Sequence, residues 1–140
     1  MELKQLIEDY LKEARMMQVA TAQGNQPWAC TVYFAFDPYF NLYWISSTDR
    51  RHSQDIDANN MVAGTIVLPH TPGGPVRGIQ FEGTAEALRE KTAATLGMEY
   101  YAERFDMDTQ RANDIIQGSD GHICYKIKPK MIVLFDEVNF

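Results

Sequence analysis

Residues 77–88 read Arg77-Gly78-Ile79-Gln80-Phe81-Glu82-Gly83-Thr84-Ala85-Glu86-Ala87-Leu88. Ile79, Phe81 and Ala85 fall on one side of this run, and Gln80, Glu82, Thr84 and Glu86 on the other. That period of two belongs to a β-strand with one buried and one wet face. Upstream, a loop rich in Pro and Gly (residues 69–75) separates it from residues 61–68, which are apolar on both faces and predict a fully buried strand. Residues 17–23, 28–37 and 42–47 predict three further strands in an antiparallel meander, with turns at Gly24-Asn25-Gln26-Pro27 and Asp37-Pro38-Tyr39-Phe40-Asn41. In the second of these, Trp28, Cys30, Val32, Phe34 and Phe36 share one face, and Thr31 and Tyr33 the other.

Helical periodicity marks residues 2–15, where Leu3, Ile7, Tyr10, Leu11 and Ala14 form an apolar stripe. A short helix is expected over 53–58, and two helices over 90–105 and 108–117, where they cover the sheet. Residues 122–128 and 131–137 predict two closing strands split by Pro129, which has no N–H for a ladder. Six or seven strands in 140 residues favour one mainly β domain over 1–140, an antiparallel barrel closed or nearly so, because closure removes exposed edges.

Composition narrows the function. A net charge of −6 argues against a general nucleic-acid binder, since phosphate backbones demand a basic surface. The apolar runs are too short to span a bilayer. The opening Met1-Glu2-Leu3-Lys4-Gln5 lacks the layout of a secretion signal, so the expected compartment is the cytoplasm. Cys30 and Cys124 lie far apart in apolar segments and read as reduced, buried thiols. His52, His70 and His122 have no metal-ligand spacing with them, and no metal site is expected. Hydrolase elbows, phosphate loops and paired Cys-x-x-Cys motifs are absent from the sequence.

The segment Ser46-Ser47-Thr48-Asp49-Arg50-Arg51-His52-Ser53 stands out. Hydroxyls end a strand, two arginines follow, and a helix begins. Guanidinium forks, hydroxyls and free helix N–H groups are the donors that a phosphate monoester needs. The alternative is an exposed turn whose arginines are merely solvated. In Arg77-Gly78-Ile79-Gln80, similarly, Arg77 and Gln80 either face a ligand or form a wetted strand face, and Gly78 allows a close backbone approach. Phe135 reads as core or as a ligand contact.

Taken in order, Ser46-Ser47, Arg51-His52, Asn59-Asn60-Met61-Val62-Ala63, the strand from Arg77 to Glu86 and the ending Tyr125-Lys126-Ile127-Lys128-Pro129 with residues 132–136 resemble the pyridoxamine 5'-phosphate oxidase-like family of flavin-binding split barrels. The likeness runs from Met17 to Asp136. It implies flavin mononucleotide (FMN) as cofactor and a homodimer with flavin between the subunits. Ser46 and Ser47 then match the strand end beside the flavin, Arg51 the phosphate-binding arginine, and Cys30, Thr31 and Val32 the strand along the ring. Arg77, Gly78 and Gln80 match the strand with a flavin-contacting glutamine, and Phe135 matches an aromatic given by the second subunit. His52 stands where pyridoxamine oxidases usually carry lysine. The sequence to Phe140 shows no counterpart of the segment that grips the vitamin's phosphate, so another small substrate is expected. The resulting reading is an FMN-dependent oxidoreductase with no residue assigned to acid–base duty. A deazaflavin or haem in the same barrel, and a cofactor-free binding barrel, are the alternatives.

Overall fold

The computed structural model describes residues 2–139. Among them lie four helices and seven strands: α1 (Leu3–Glu13), β1 (Met16–Gln23), β2 (Gln26–Tyr33), β3 (Ala35–Phe36), β4 (Leu42–Ser47), α2 (Arg51–Ala58), β5 (Met61–Val67), β6 (Arg77–Ala87), α3 (Lys91–Phe105), α4 (Thr109–Gln117) and β7 (His122–Asp136). No helix of the described residues is long and apolar enough to cross a membrane.

All seven strands form one antiparallel sheet in the order β2-β1-β5-β6-β7-β4-β3. Its two edge strands, β2 and β3, are joined by a single residue, Phe34. In a flat sheet of seven strands the edges would lie about 29 Å apart, six spacings of ~4.8 Å. Across one linking residue, the Cα atoms of Tyr33 and Ala35 can be at most about 7.6 Å apart. The sheet therefore curls until its edges meet, giving the expected split barrel. Phe34 is the joint, with 0% of its surface exposed and its N–H donated to the Arg15 carbonyl at 3.2 Å.

The concave face holds the main core. Leu6, Ile7, Tyr10 and Leu11 of α1 pack there against Met17, Val19, Ile66, Ile79 and Phe81. Trp44 and Tyr125, both fully buried, stack at 5.1 Å. A second core forms on the opposite face of β4 and β7, where Tyr43 and Cys124 meet Ala94 and Met98 of α3 and Ala112 and Ile115 of α4. The two late helices thus cover one outer flank.

Three expectations are corrected. The first strands do not form a meander: the β1–β2 and β3–β4 hairpins sit at opposite ends of the sheet order, since the Phe34 joint sends the chain across the seam. β5 is not buried on both sides. Its burial alternates, and Met61 is 66% exposed, because the outer face there has no helix over it. Finally, Pro129 does not split the last strand; β7 is continuous, and its ladder to β6 shifts register between Glu82 and Gly83, opposite Met131 and Pro129. Lys130 is the extra residue of this bulge, and Pro129 lies opposite Gly83.

Removing the joint tests this account. Phe34→Ala is expected to cost about 3–5 kcal/mol of stability in urea unfolding. Tyr39→Ala, at a position 85% exposed in the neighbouring turn, should stay within about 0.5 kcal/mol of the parent.

Candidate functional site

β4 alternates, so Leu42, Trp44 and Ser46 point to the core while Ser47 points away. The strand ends there, and α2 begins three residues after Thr48. The turn is tied by Arg50 N–H to the Ser47 carbonyl at 3.3 Å and by Thr48 N–H to the Gly121 carbonyl at 3.1 Å. The Ser53 hydroxyl, fully buried, donates to the Ser47 carbonyl at 2.8 Å and clamps the first turn of α2 onto the strand end. Asp55, also buried, accepts from the Thr21 hydroxyl at 2.8 Å and fixes α2 to β1.

This scaffold gathers four of the residues singled out in the sequence. The Ser46 hydroxyl lies 2.6 Å from His52 Nε2. Ser47 donates to Asp49 at 2.6 Å. The Arg51 guanidinium lies over the Trp28 ring, 4.1 Å from its centroid. Among the described residues no carboxylate lies within ion-pair reach of Arg51, and no side chain caps the N-terminus of α2. The corner is therefore a cationic ledge with unpaired helix N–H groups, suited to an anion. The sequence marks Trp28 only as a strand-face residue. Its contact with Arg51 spans 23 positions and leaves no local periodic signal.

Burial, and secondarily the Arg50 charge, holds the His52 imidazole below its ordinary value of 6.5, with Asp55 pulling the other way. Burial likewise raises the Cys30 thiol, which keeps it protonated. Cys124 is pushed up to about 12 by the same cause.

The other predicted residues fall elsewhere. Cys30 and Val32 share the inner face of β2 with Trp28, facing Val19 and Met17. Thr31 faces outward, in a cross-strand row that runs Thr31, Gln18, Thr65, Gln80, Val133. Thr65 donates to Gln18 within this row at 3.1 Å. Arg77 sits at the far end of β6, 3.6 Å from Glu13 and over the Tyr10 ring. Ala20, next to Thr21, is level with Ala63 and Glu82. That places Arg77 five residues, about 16 Å, along the sheet from the α2 end, so one chain does not bring Arg77 to Arg51. At Gly78 the approaching group is the chain's own Phe135 ring: a Cβ there would collide with its Cζ and with the Ile66 carbonyl. A concavity of about 460 Å³ opens at the β6–β7 bulge, between Met61, Thr84 and Lys128, away from the Arg51 ledge.

The family model described as pyridoxamine 5'-phosphate oxidase matches residues 3–130. A UPF0306 protein of Pasteurella multocida is 31% identical over 83 residues, 59% of this chain and 56% of that protein, so the match spans little more than half of the relative. Two solved structures share the architecture. The heme storage protein HutZ of Vibrio cholerae superposes with a TM-score of 0.75 at 16% identity, covering 97% of this chain and 95% of that one. A FAD-binding protein of Mesorhizobium loti gives 0.68 at 16% identity, over 94% and 92% of the two chains. At such identities the likeness is one of fold.

The shifted His52 makes stability depend on pH. The unfolded chain takes up the proton more readily than the folded chain, so this contribution is complete above pH 6.5 and declines as pH falls below that value. Thermal unfolding of the parent should therefore weaken below pH 6.5 more steeply than that of His52→Gln, which keeps a hydrogen-bonding partner for Ser46 but cannot titrate. Parallel pH profiles for the two proteins would contradict the assignment.

Proposed function

This chain belongs to the pyridoxamine 5'-phosphate oxidase family, and from that premise we propose that it is a homodimeric FMN-binding oxidoreductase acting on a small substrate. The observation that carries the reading is the Arg51 guanidinium, held over the Trp28 ring 4.1 Å from its centroid beside the uncapped start of α2. The donor set suits a phosphate monoester: a guanidinium without a carboxylate partner, the adjoining Arg50, the Ser47 hydroxyl and backbone N–H groups. A cation–π contact with the indole holds the guanidinium in place without using any of its N–H donors.

When bound, FMN supplies the hydride or electron transfer, and the protein supplies binding and orientation. Arg51 anchors the phosphate as a fixed charge. Ser47 joins by turning its hydroxyl from Asp49. His52, neutral and engaged by Ser46, offers a hydrogen bond from its second ring nitrogen and no charge, which distinguishes this corner from one built with lysine.

The outer face of the sheet supports the dimer. Met61, Val67, Met131 and Val133 are exposed there, and Phe135 shares the same side of β7. Exposed apolar side chains on either side of the polar row from Gln80 to Glu82 mark an interaction surface. A second copy covering it would bury these side chains and enclose the polar row of Thr31 and Gln80, the outward pair assigned to the flavin ring.

Purified protein is expected to be yellow and to release FMN on denaturation. Arg51→Ala should weaken FMN binding about ten- to a hundred-fold, the worth of one or two charge-assisted hydrogen bonds, with the circular dichroism spectrum unchanged. Equal affinity in parent and variant would remove Arg51 from the site, and uptake of haem or a deazaflavin in preference to FMN would reassign the cofactor. In sedimentation, the double change Met131→Asp and Val133→Asp is expected to turn a dimer into a monomer.

A further inference from the structure

A second concavity, of about 320 Å³, lies between the C-terminal end of α1, β3 and α3, lined by Lys12, Arg15, Phe36, Tyr100, Glu103 and Arg104 among others. We propose that it binds a small aromatic carboxylate. None of its residues belongs to the Arg51 ledge, so the inference stands independently of the FMN reading.

Arg15 and Arg104 give the concavity its positive charge, and Arg104 is the one the fold holds in place. Its Nη2 donates to the carbonyls of Leu11, at 2.8 Å, and of Ala14, closing the last turn of α1. Its guanidinium lies among the rings of Phe34, Phe36 and Phe105, at 4.8, 5.3 and 5.7 Å from their centroids. Its Nη1 is buried and has no hydrogen-bond partner. That atom is closed to solvent, so Arg104 acts on the concavity through its charge and not through a donated hydrogen bond. Burial, then the neighbouring Arg15, lowers this guanidinium to about 10, so it still carries its charge at neutral pH.

The charge balance asks for an anion. Lys12 is paired with Glu8 at 3.1 Å. Among the described residues no carboxylate comes within ion-pair distance of Arg15 or Arg104, Glu103 on the same wall included. The exposed Arg15 and the partly buried Arg104 thus line one concavity with no carboxylate paired to either, in a chain whose net charge is −6. Arginine forks match carboxylate geometry. The remaining walls, Phe36 and Tyr100, are aromatic; Tyr100 is held by stacking on Tyr43 at 5.8 Å. A bare inorganic ion would leave those walls unused, whereas a ring with one carboxylate meets both. The volume lies in the range of small-molecule sites.

The test titrates the full chain with benzoate, followed by ligand-observed NMR, with inorganic phosphate and benzylamine as comparisons. Saturable benzoate binding is expected, with phosphate and benzylamine much weaker. Arg15→Gln, a change at an exposed side chain that the fold tolerates, should weaken benzoate about tenfold, the worth of one charge-assisted hydrogen bond. Arg51→Ala should leave benzoate binding unchanged, which separates this site from the proposed phosphate ledge. The proposal is overturned if folded protein shows no saturable binding, if Arg15→Gln binds as tightly as the parent, or if phosphate equals benzoate.

Discussion

A seven-stranded sheet whose two edges are joined through one residue cannot lie flat, and this constraint organises the whole molecule. Phe34 carries it: buried completely, bonded through its N–H to Arg15, and faced by the Arg104 guanidinium. Because the chain passes from one edge to the other there, the concave side closes around α1 and the stacked Trp44–Tyr125 pair. The convex side is left to be covered by whatever else the sequence supplies. On β4 and β7 that is α3 and α4. On β5, β6 and the second half of β7 it is nothing within the described chain, and the apolar residues there stay in view.

The same closure builds the candidate site. Trp28 stands on β2, one edge of the sheet, while Arg51 follows β4, which lies beside the other edge. Only a curled sheet brings them into contact. The stacking itself contributes on the order of 0.5–1 kcal/mol at an exposed position, so its value lies in orientation more than in stability. The firm attachments are buried and polar: Ser53 to the Ser47 carbonyl, and Thr21 to Asp55. Together they hold the start of α2 against the strand end, so the arginines are presented from a rigid corner.

Close packing between strands explains two glycines. At Gly64 and Gly78 the space of a Cβ is taken by the ring of the cross-strand neighbour, Phe81 and Phe135 respectively. These rings lie over the bare backbone of the adjacent strand, on opposite faces of the sheet. At the other end of the barrel, Asp136 accepts from the Tyr10 hydroxyl and from the N–H groups of Val138 and Asn139, tying the end of β7 to α1. Helix, last strand and joint are thereby linked around one seam.

What the sequence determined alone was everything that depends on local period and local chemistry. The alternation from Arg77 to Ala87, the strand from Leu42 to Ser47, the helical stripe of α1 and the arginine-bearing turn after Ser47 are all legible, because side-chain direction along a strand or helix repeats every few residues. Those features, with the ordered resemblance, gave the barrel class and the family. The partners were not legible. Alternation tells which face a residue occupies, never which strand lies alongside it. For that reason alternation does not show that the first two hairpins part across the seam, that the outer face of β5 lies open, or that β7 runs on through Pro129. Tertiary structure alone decided that Trp28 underlies Arg51, that Arg77 belongs with Glu13 and Tyr10, and that Gly78 receives Phe135. Each of these is a contact between distant parts of the chain, fixed only when the sheet closes on itself.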